Sequence, residues 1–457
     1  MRYLFFLFYC LPFALTAQYQ QDSLIIKKMA DEIMRNGKAY DLLRELTKGI
    51  GGRLAGSPQQ QQAALWAKRN LEALGADKVY FQAVKTPNWK RGGQDYAAIV
   101  SIDGKAVIRP LKALALGNSL GSNGLKEAEL IAFSSFEEME KRQEEIKGKV
   151  VYFHSVFDPT KFQTFKAYAE SGVFRRVGAS KAAKYGAVAI MIHSLSSATD
   201  NEPHTGSMTY DEAYPKIPAL ALGPVDAQEL FKLSKSSKIR VQLQTYGYFL
   251  ADADENNVVA EIKGSEFSSE IITVGGHLDS WDVNEGAHDD GAGIVQTMEI
   301  LRAMKAVKYQ PKRTIRFVLF ANEENGMRGG NEYANQAILN KEKHVYALES
   351  DEGGFTPRSI GISCSPEQWK KFELWSPLFK PYGGELTLGG TGADIAPLVK
   401  VNPGMVLSGL IPDSQRYFDL HHAKTDVFEN VNKRELLWGA VNMAGIIYLM
   451  DHHGANP

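Results

Sequence analysis

After Asn257 the chain alternates short apolar runs with stretches of helical periodicity, and this alternation limits the fold more than any other feature of the 457 residues. Strands are expected at 271–276, 315–321, 345–350 and 405–410, and helices at 291–306, 330–339, 367–379 and 433–450. Parallel neighbours can be joined only by a long crossover, usually a helix, and that helix then covers a face of the sheet. The region is therefore expected to be α/β, a mainly parallel mixed sheet covered by helices. In such sheets functional groups gather just past the carboxyl ends of the strands.

Ahead of this region, residues 22–48 predict one amphipathic helix, with Leu24, Ile25, Met29, Ile33 and Met34 at helical spacing. Gly49, Gly51, Gly52 and Gly56 end the pattern, and a helix over Gln59–Leu74 and a strand over Val79–Val84 follow. Between 105 and 247 the texture changes. Short β-like runs (Val107–Ile108, Leu130–Ala132, Val150–Phe153, Val188–His193, Ala219–Leu222) are interleaved with two helix-like stretches, "SKAAKYGA" and "VDAQELFKL". This reads as a small β-rich domain, a sandwich or barrel with two helices, inserted into the main one and lacking a ligand cluster. The main domain is then 18–104 together with 248–457.

Arg2, the apolar run Leu4–Leu15 and the small Ala17 before Gln18 have the three-part layout of a secretory signal over 1–17. The run is too short to span a bilayer comfortably. A secreted or periplasmic protein is expected, with no stable membrane insertion after cleavage. Cys10 leaves with the signal and only Cys364 remains, so no intramolecular disulfide can form. Export without bridges suits a large-cored enzyme better than a small secreted scaffold. Lys and Arg total 52 against 53 Asp and Glu, and this balance offers nothing to a nucleic-acid partner.

Polar residues do fall at the predicted strand ends. "IITVGGHLDS" ends in His277 and Asp279, "RFVLFANEEN" in Glu323 and Glu324, and "VYALESDEGG" carries Asp351. "GAHDDGAG" places Asp289 and Asp290 before a helix, and "HHAKTD" supplies His421 and His422. Zinc takes imidazole nitrogen and carboxylate oxygen, and a two-metal hydrolase needs one carboxylate to bridge ions roughly 3.5–4 Å apart. A spare Glu beside a ligand can accept a proton from the attacking water. Each piece alone has a bland reading: Asp-Asp before a helix is usually a cap, and Glu-Glu is usually solvated surface. Four such pieces at strand or helix ends of one domain point to a metal centre.

"GGHLDSWDVNEGAHDDGAG", "FANEENG", "ESDEGG" and "YFDLHHAKTD" together resemble the co-catalytic zinc aminopeptidase and glutamate carboxypeptidase family. "GGRLAGSP", "GNSLGS", "PHTGSMTY" and "YPKIPALAL" resemble its plasma glutamate carboxypeptidase branch, so the likeness covers most of the mature chain. The resemblance implies a zinc aminopeptidase-like fold in which 105–247 is a protease-associated-like insert that caps the cleft and contributes to a homodimer. It implies two zinc ions, one on His277 and Asp351, the other on Glu324 and His422, with Asp289 bridging. Glu323 would be the general base and Asp279 the partner that orients His277. A cis peptide is implied at Asp289–Asp290. Asp289 is preferred to Asp290 because the family's bridging residue lies twelve after the first His, and His422 to His421 because the ligand lies four before an Asp, here Asp426. His421 would stabilise the oxyanion or merely pack beside the site. Asp394 is a candidate to face the cleft. For His204 in "PHTG", a loop hydrogen bond is preferred to an approach to substrate.

Other signals carry less. "GNSLG" (Gly117–Gly121) matches the nucleophile-elbow pattern but is followed by Ser122, Asn123 and Gly124, which start a helix poorly. His452 and His453 read as a surface tail, and His154, His193, His288 and His344 lack ligand spacing. The expected activity is a secreted metallo-exopeptidase cutting dipeptides or amino-terminal residues that carry a free amine. The alternatives are a carboxypeptidase, a single-zinc glutaminyl cyclase and a non-catalytic binding module.

Overall fold

The computed structural model describes residues 4–455. The expected signal, residues 1–17, lies partly outside them, Arg2 included. In chain order come α1 (Leu4–Asn36), α2 (Ala39–Gly49), α3 (Pro58–Ala73) and β1 (Lys78–Lys90). Then follow β2 (Tyr96–Ile102), β3 (Lys105–Pro110), β4 (Ala113–Ala115), β5 (Lys126–Phe133), α4 (Phe136–Lys141), β6 (Val150–Phe153) and α5 (Thr164–Ala183). Next are β7 (Ala189–His193), β8 (Ala219–Leu222), α6 (Pro224–Ser234), β9 (Ile239–Gln244), β10 (Tyr248–Ile262), β11 (Phe267–His277), α7 (Ala292–Ala306) and β12 (Arg313–Phe320). The last are α8 (Arg328–Leu339), β13 (Lys343–Glu349), β14 (Pro357–Ser363), α9 (Pro366–Trp375), β15 (Leu386–Leu388), β16 (Val406–Pro412), α10 (Tyr417–Leu420) and α11 (Lys433–His453).

The main sheet has the order β1-β10-β12-β11-β13-β16-β14-β15. Its centre, β12-β11-β13-β16, is parallel, and antiparallel pairs flank it at β1/β10, β10/β12 and β14/β16. Alternate side chains feed opposite cores, as fully covered strands require. Phe317 and Leu319 pack with α7 and α11, whereas Val318 and Phe320 pack with Tyr333 and Ala337 of α8.

The 105–247 region is neither sandwich nor barrel with two helices. It forms one mixed sheet, β3-β2-β9-β5-β6-β7-β8-β4. Val151 and Phe153 face Ala179 and Ala182 of α5, while Val150 and Tyr152 face Ala227 and Leu230 of α6. This sheet begins at Tyr96 rather than 105, because β2 pairs with β9 and not with any strand of the main sheet.

The helix predicted over 22–48 is two. A Cβ at Gly37 would lie 2.3 Å from the Ile33 carbonyl oxygen. The next two amides, of Lys38 and Ala39, donate to the buried Glu299 carboxylate at 2.8 and 3.2 Å. A side chain of α7 thus caps α2, a tertiary contact that periodicity does not carry. His453 is no surface tail: it ends α11 with Nε2 2.9 Å from the Asp22 carboxylate, which also accepts from the Tyr448 hydroxyl at 2.7 Å. Among the described residues no helix is long and apolar enough to cross a membrane.

Candidate metal centre

Three adjacent parallel strands aim their carboxyl ends at one place. β11 ends in His277, β12 runs into Glu323 and Glu324, and β13 into Asp351. Asp289 sits in the turn that opens α7, and His421 and His422 follow α10. The Asp289–Asp290 peptide is cis. Gly276 is needed for the approach of this turn to β11, since a Cβ there would lie 2.2 Å from Asp290 Oδ2.

His277 Nε2 lies 3.2 Å from Asp289 Oδ1 and 3.1 Å from Asp351 Oδ1. On the other side of Asp289, His422 Nε2 lies 3.2 Å from Oδ2 and 3.1 Å from Glu324 Oε2. His421 stacks on His422 with ring centroids 3.5 Å apart, its Nε2 3.6 Å from Asp289 Oδ2. One ring nitrogen facing two carboxylates can donate to only one of them. Asp289 Oδ2 and Glu324 Oε1 are buried without a hydrogen-bond partner. Such a donor set, short of protons and rich in carboxylate oxygen and imidazole, fits cations. Among the described residues two groups have mutually close ligand atoms: Asp289 with His421 and His422, and His277 with Asp290 and Asp351. Asp290 is already occupied, its oxygens accepting from the amides of His277 at 3.0 Å and Gly293 at 2.9 Å. Asp289, by contrast, turns one oxygen to His277 and the other to the His421–His422 pair.

The surrounding residues hold these groups by their main chains. Asp426 accepts from the amides of His288 at 2.7 Å and Asp289 at 3.1 Å. The Asp279 carboxylate accepts from the amides of Glu323 at 2.9 Å and Glu324 at 3.2 Å. His277 Nδ1 is 3.0 Å from the Asp279 main-chain oxygen and 3.6 Å from its carboxylate, so the main chain of Asp279 makes the hydrogen bond to the imidazole, and the carboxylate beside it also sets the Glu323–Glu324 turn. Arg53, fully buried, donates to the carbonyls of Leu278, Glu285 and Gly286, at 2.5, 2.7 and 3.0 Å. Neither this brace nor that of Asp426 was among the expected site residues, although "GGRLAGSP" and the spacing from His422 to Asp426 marked their positions.

Burial, with the charges of Asp351 and Asp279 adding to it and His277 opposing, pushes the Glu323 carboxyl up to about 8. Glu324 is raised by burial and by Asp289. Burial would also raise Asp289, yet His277 and His422 hold it well below the usual carboxylate range. Burial lowers His422.

A cavity of about 370 Å³ opens over these residues, lined by Asp289, Glu323, Glu324, Asp351, His421 and His422 from the main domain. The insert contributes Phe165, Tyr168 and Arg175 of α5 and residues of the loops around Asn118 and Ser207. Arg175 is 5% exposed. Its Nη2 donates to the Tyr168 hydroxyl at 2.7 Å, and its Nε is buried without a partner. Nothing in the sequence set Arg175 apart from its neighbour Arg176. Asp394, a candidate to face the cleft, is instead buried behind the site, accepting from the Gly330 amide, whereas His204 makes the hydrogen bond preferred for it, to the His421 carbonyl, and does not line the cavity. In "GNSLG", Ser119 is buried in a loop and accepts from the Ala219 amide.

A model of peptidase family M28 matches residues 257–444. The chain is similar to carboxypeptidase Q of Bos taurus, at 32% identity over 417 residues that cover 90% of this chain and 85% of that one. It is also similar to the solved peptidase M28 precursor of Shewanella amazonensis, with a TM-score of 0.88 and 30% identity over 96% of this chain and 98% of that one. A zinc aminopeptidase of Bacillus subtilis shares the fold, with a TM-score of 0.64 at 18% identity over 91% and 95% of the two chains.

Proposed function

The chain belongs to peptidase family M28, as a metallo-exopeptidase, and on that premise we propose that it is exported and hydrolyses dipeptides and other short peptides with a free amino end, using two zinc ions. His277 and Asp351 would hold one ion and Glu324 and His422 the other, with Asp289 shared. The observation that carries the reading is Asp289 turned between the two imidazoles, one oxygen to each, with Asp351 and Glu324 on the outer sides. The apolar leader ahead of Gln18 supports export.

Two zinc ions, when bound there, activate water and polarise the scissile carbonyl as Lewis acids. Glu323 lines the cavity and is not needed as a ligand. A carboxyl raised by burial suits taking a proton from the attacking water and returning it to the leaving amine. Asp279 fixes the turn that presents Glu323 beside Glu324. His421, stacked against His422 at the cavity wall, is placed to donate to the developing oxyanion.

Arg175 gives specific support to a second reading, recognition of the substrate's carboxyl end. No carboxylate of the chain pairs with it among the described residues, and a guanidinium is suited to a substrate carboxylate. A dipeptide satisfies both readings, because its free amine and free carboxylate lie one residue apart. The test is zinc content of the mature chain together with hydrolysis of dipeptides, N-blocked dipeptides and C-terminal amides. About two zincs, with cleavage lost on N-blocking, is the expected result. Cleavage of blocked but not of amidated substrates would transfer the assignment to a carboxypeptidase. One zinc or none without hydrolysis would leave a cyclase or a binding module.

A further inference from the structure

The "PHTG" turn of the insert, Pro203–Gly206, takes no part in the cavity wall, yet it is bonded to the main chain of the His421–His422 doublet. His204 Nδ1 lies 2.6 Å from the His421 carbonyl oxygen, and the Thr205 amide donates to the His422 carbonyl at 3.0 Å. In return His422 Nδ1 lies 3.4 Å from the Thr205 carbonyl. His204 is 1% exposed, and because a carbonyl oxygen only accepts, the ring nitrogen facing it carries the proton.

The turn is itself rigidly mounted. The His204 amide donates to Ser194 Oγ past the end of β7, Thr205 Oγ1 donates to the Ala115 carbonyl at the end of β4, and Gly206 accepts from the Gly117 amide. Ser196 Oγ reaches the Phe418 carbonyl of α10 at 2.7 Å. Gly206, at φ 127°, is required here, because a Cβ would lie 2.4 Å from Arg175 Nη1 and 2.7 Å from His422 Nδ1. His422 itself takes the left-handed conformation, φ 64°, which a residue with a side chain adopts only with support from outside.

We infer that the Pro203–Gly206 turn is a positioning element of the metal centre: by bonding both carbonyls of the doublet, the insert fixes which imidazole meets Asp289 and Glu324. The insert thus braces a centre whose proposed ligands all belong to the main domain, and His204 is a positioning residue that touches neither substrate nor metal. The inference rests on the two-zinc reading above.

The test compares His204→Ala and His204→Asn in the full mature chain, equilibrated with buffered free Zn2+ and, separately, loaded with Co2+. Asn carries an amide donor close to the place of Nδ1. His204→Ala is expected to weaken one of the two zinc sites by about 10–100-fold, the range for loss of an outer partner, and to alter half of the cobalt spectrum. His204→Asn should restore both, and KM should follow the wild type wherever zinc is full. A folded His204→Ala chain holding both zincs at wild-type affinity would overturn the inference, as would a folded His204→Asn chain that loses one. If His204→Ala does not fold, His204→Asn decides alone. Wild-type protein binding fewer than two zincs would instead remove the two-zinc reading, before any variant is made.

Discussion

Replacing Asp279 by Asn separates two jobs that a single carboxylate could do. The carboxylate is fully buried and accepts from two consecutive amides, those of Glu323 and Glu324. An Asn carboxamide offers one oxygen, so one amide is left facing an NH2 group. An unsatisfied buried donor costs about 1–3 kcal/mol, and here the cost falls on the turn that carries the proposed base and a proposed ligand. His277 is spared, because its Nδ1 is bonded to the Asp279 main-chain oxygen, which the substitution keeps. Asp279→Asn should therefore keep its zinc, lose about 1–3 kcal/mol in urea denaturation, and lose about 10–100-fold in kcat on a dipeptide. Zinc-to-protein ratio, denaturation midpoint and kcat measured on one preparation decide the matter. Loss of zinc in proportion to activity would refute the reasoning and return the carboxylate to the role of orienting His277. Unchanged kcat would refute it equally.

Three further outcomes are expected. Glu323→Gln should retain both metals and lose about 10²–10⁴-fold in kcat, and near-normal turnover would remove the base assignment. Arg175→Leu should raise KM for free dipeptides by tenfold or more, on the order of one charge-assisted hydrogen bond of about 1.5–3 kcal/mol, while leaving KM for C-terminal amides unchanged; an equal effect on both would deny carboxylate recognition. Glu255 is pushed up to about 7 from an ordinary 4.5 by burial, with Asp279 adding to it. The folded chain then keeps a proton that the unfolded chain has lost, so stability should fall as pH rises from about 4.5 to 7 and level off above. Glu255→Gln should flatten that part of the melting profile, and an unchanged slope would exclude Glu255 as its source.

The central sheet was legible because β11, β12, β13 and β16 are buried on both faces and so appear as mainly apolar runs, broken only by single polar residues such as Thr273, Arg316 and Ser408. β10 and β14 were not: their half-covered or short segments lack such a run, and β10 pairs with β1 across the whole insert. The proposed site residues were legible through their order along the chain and their placement past strand ends. What supports them was hidden for a different reason. Arg53, Glu299, Arg175 and Thr205 act on main-chain atoms or on a cleft formed by distant segments, and a backbone carbonyl leaves no mark in a sequence. At Asp279 the same holds in part, since its carbonyl as well as its side chain reaches His277 Nδ1.

The insert interrupts an antiparallel ribbon: β1 and β10 pair from Lys78↔Glu261 to Lys90↔Tyr248 across an interval of roughly 160 residues. Closing so long an unfolded loop is slow and costly. Pairing of β2 with β9, however, sets Tyr96 opposite Gln244 and leaves only about eight residues of free chain between the ribbon's arms. Each doubling of loop length costs about 0.6 kcal/mol, so prior folding of the insert lowers the closure cost by about 2–3 kcal/mol. The order of assembly is therefore biased: the insert acts as the hairpin turn of the domain that contains it, and a lesion in its own core would be felt first as slow zipping of β1 onto β10.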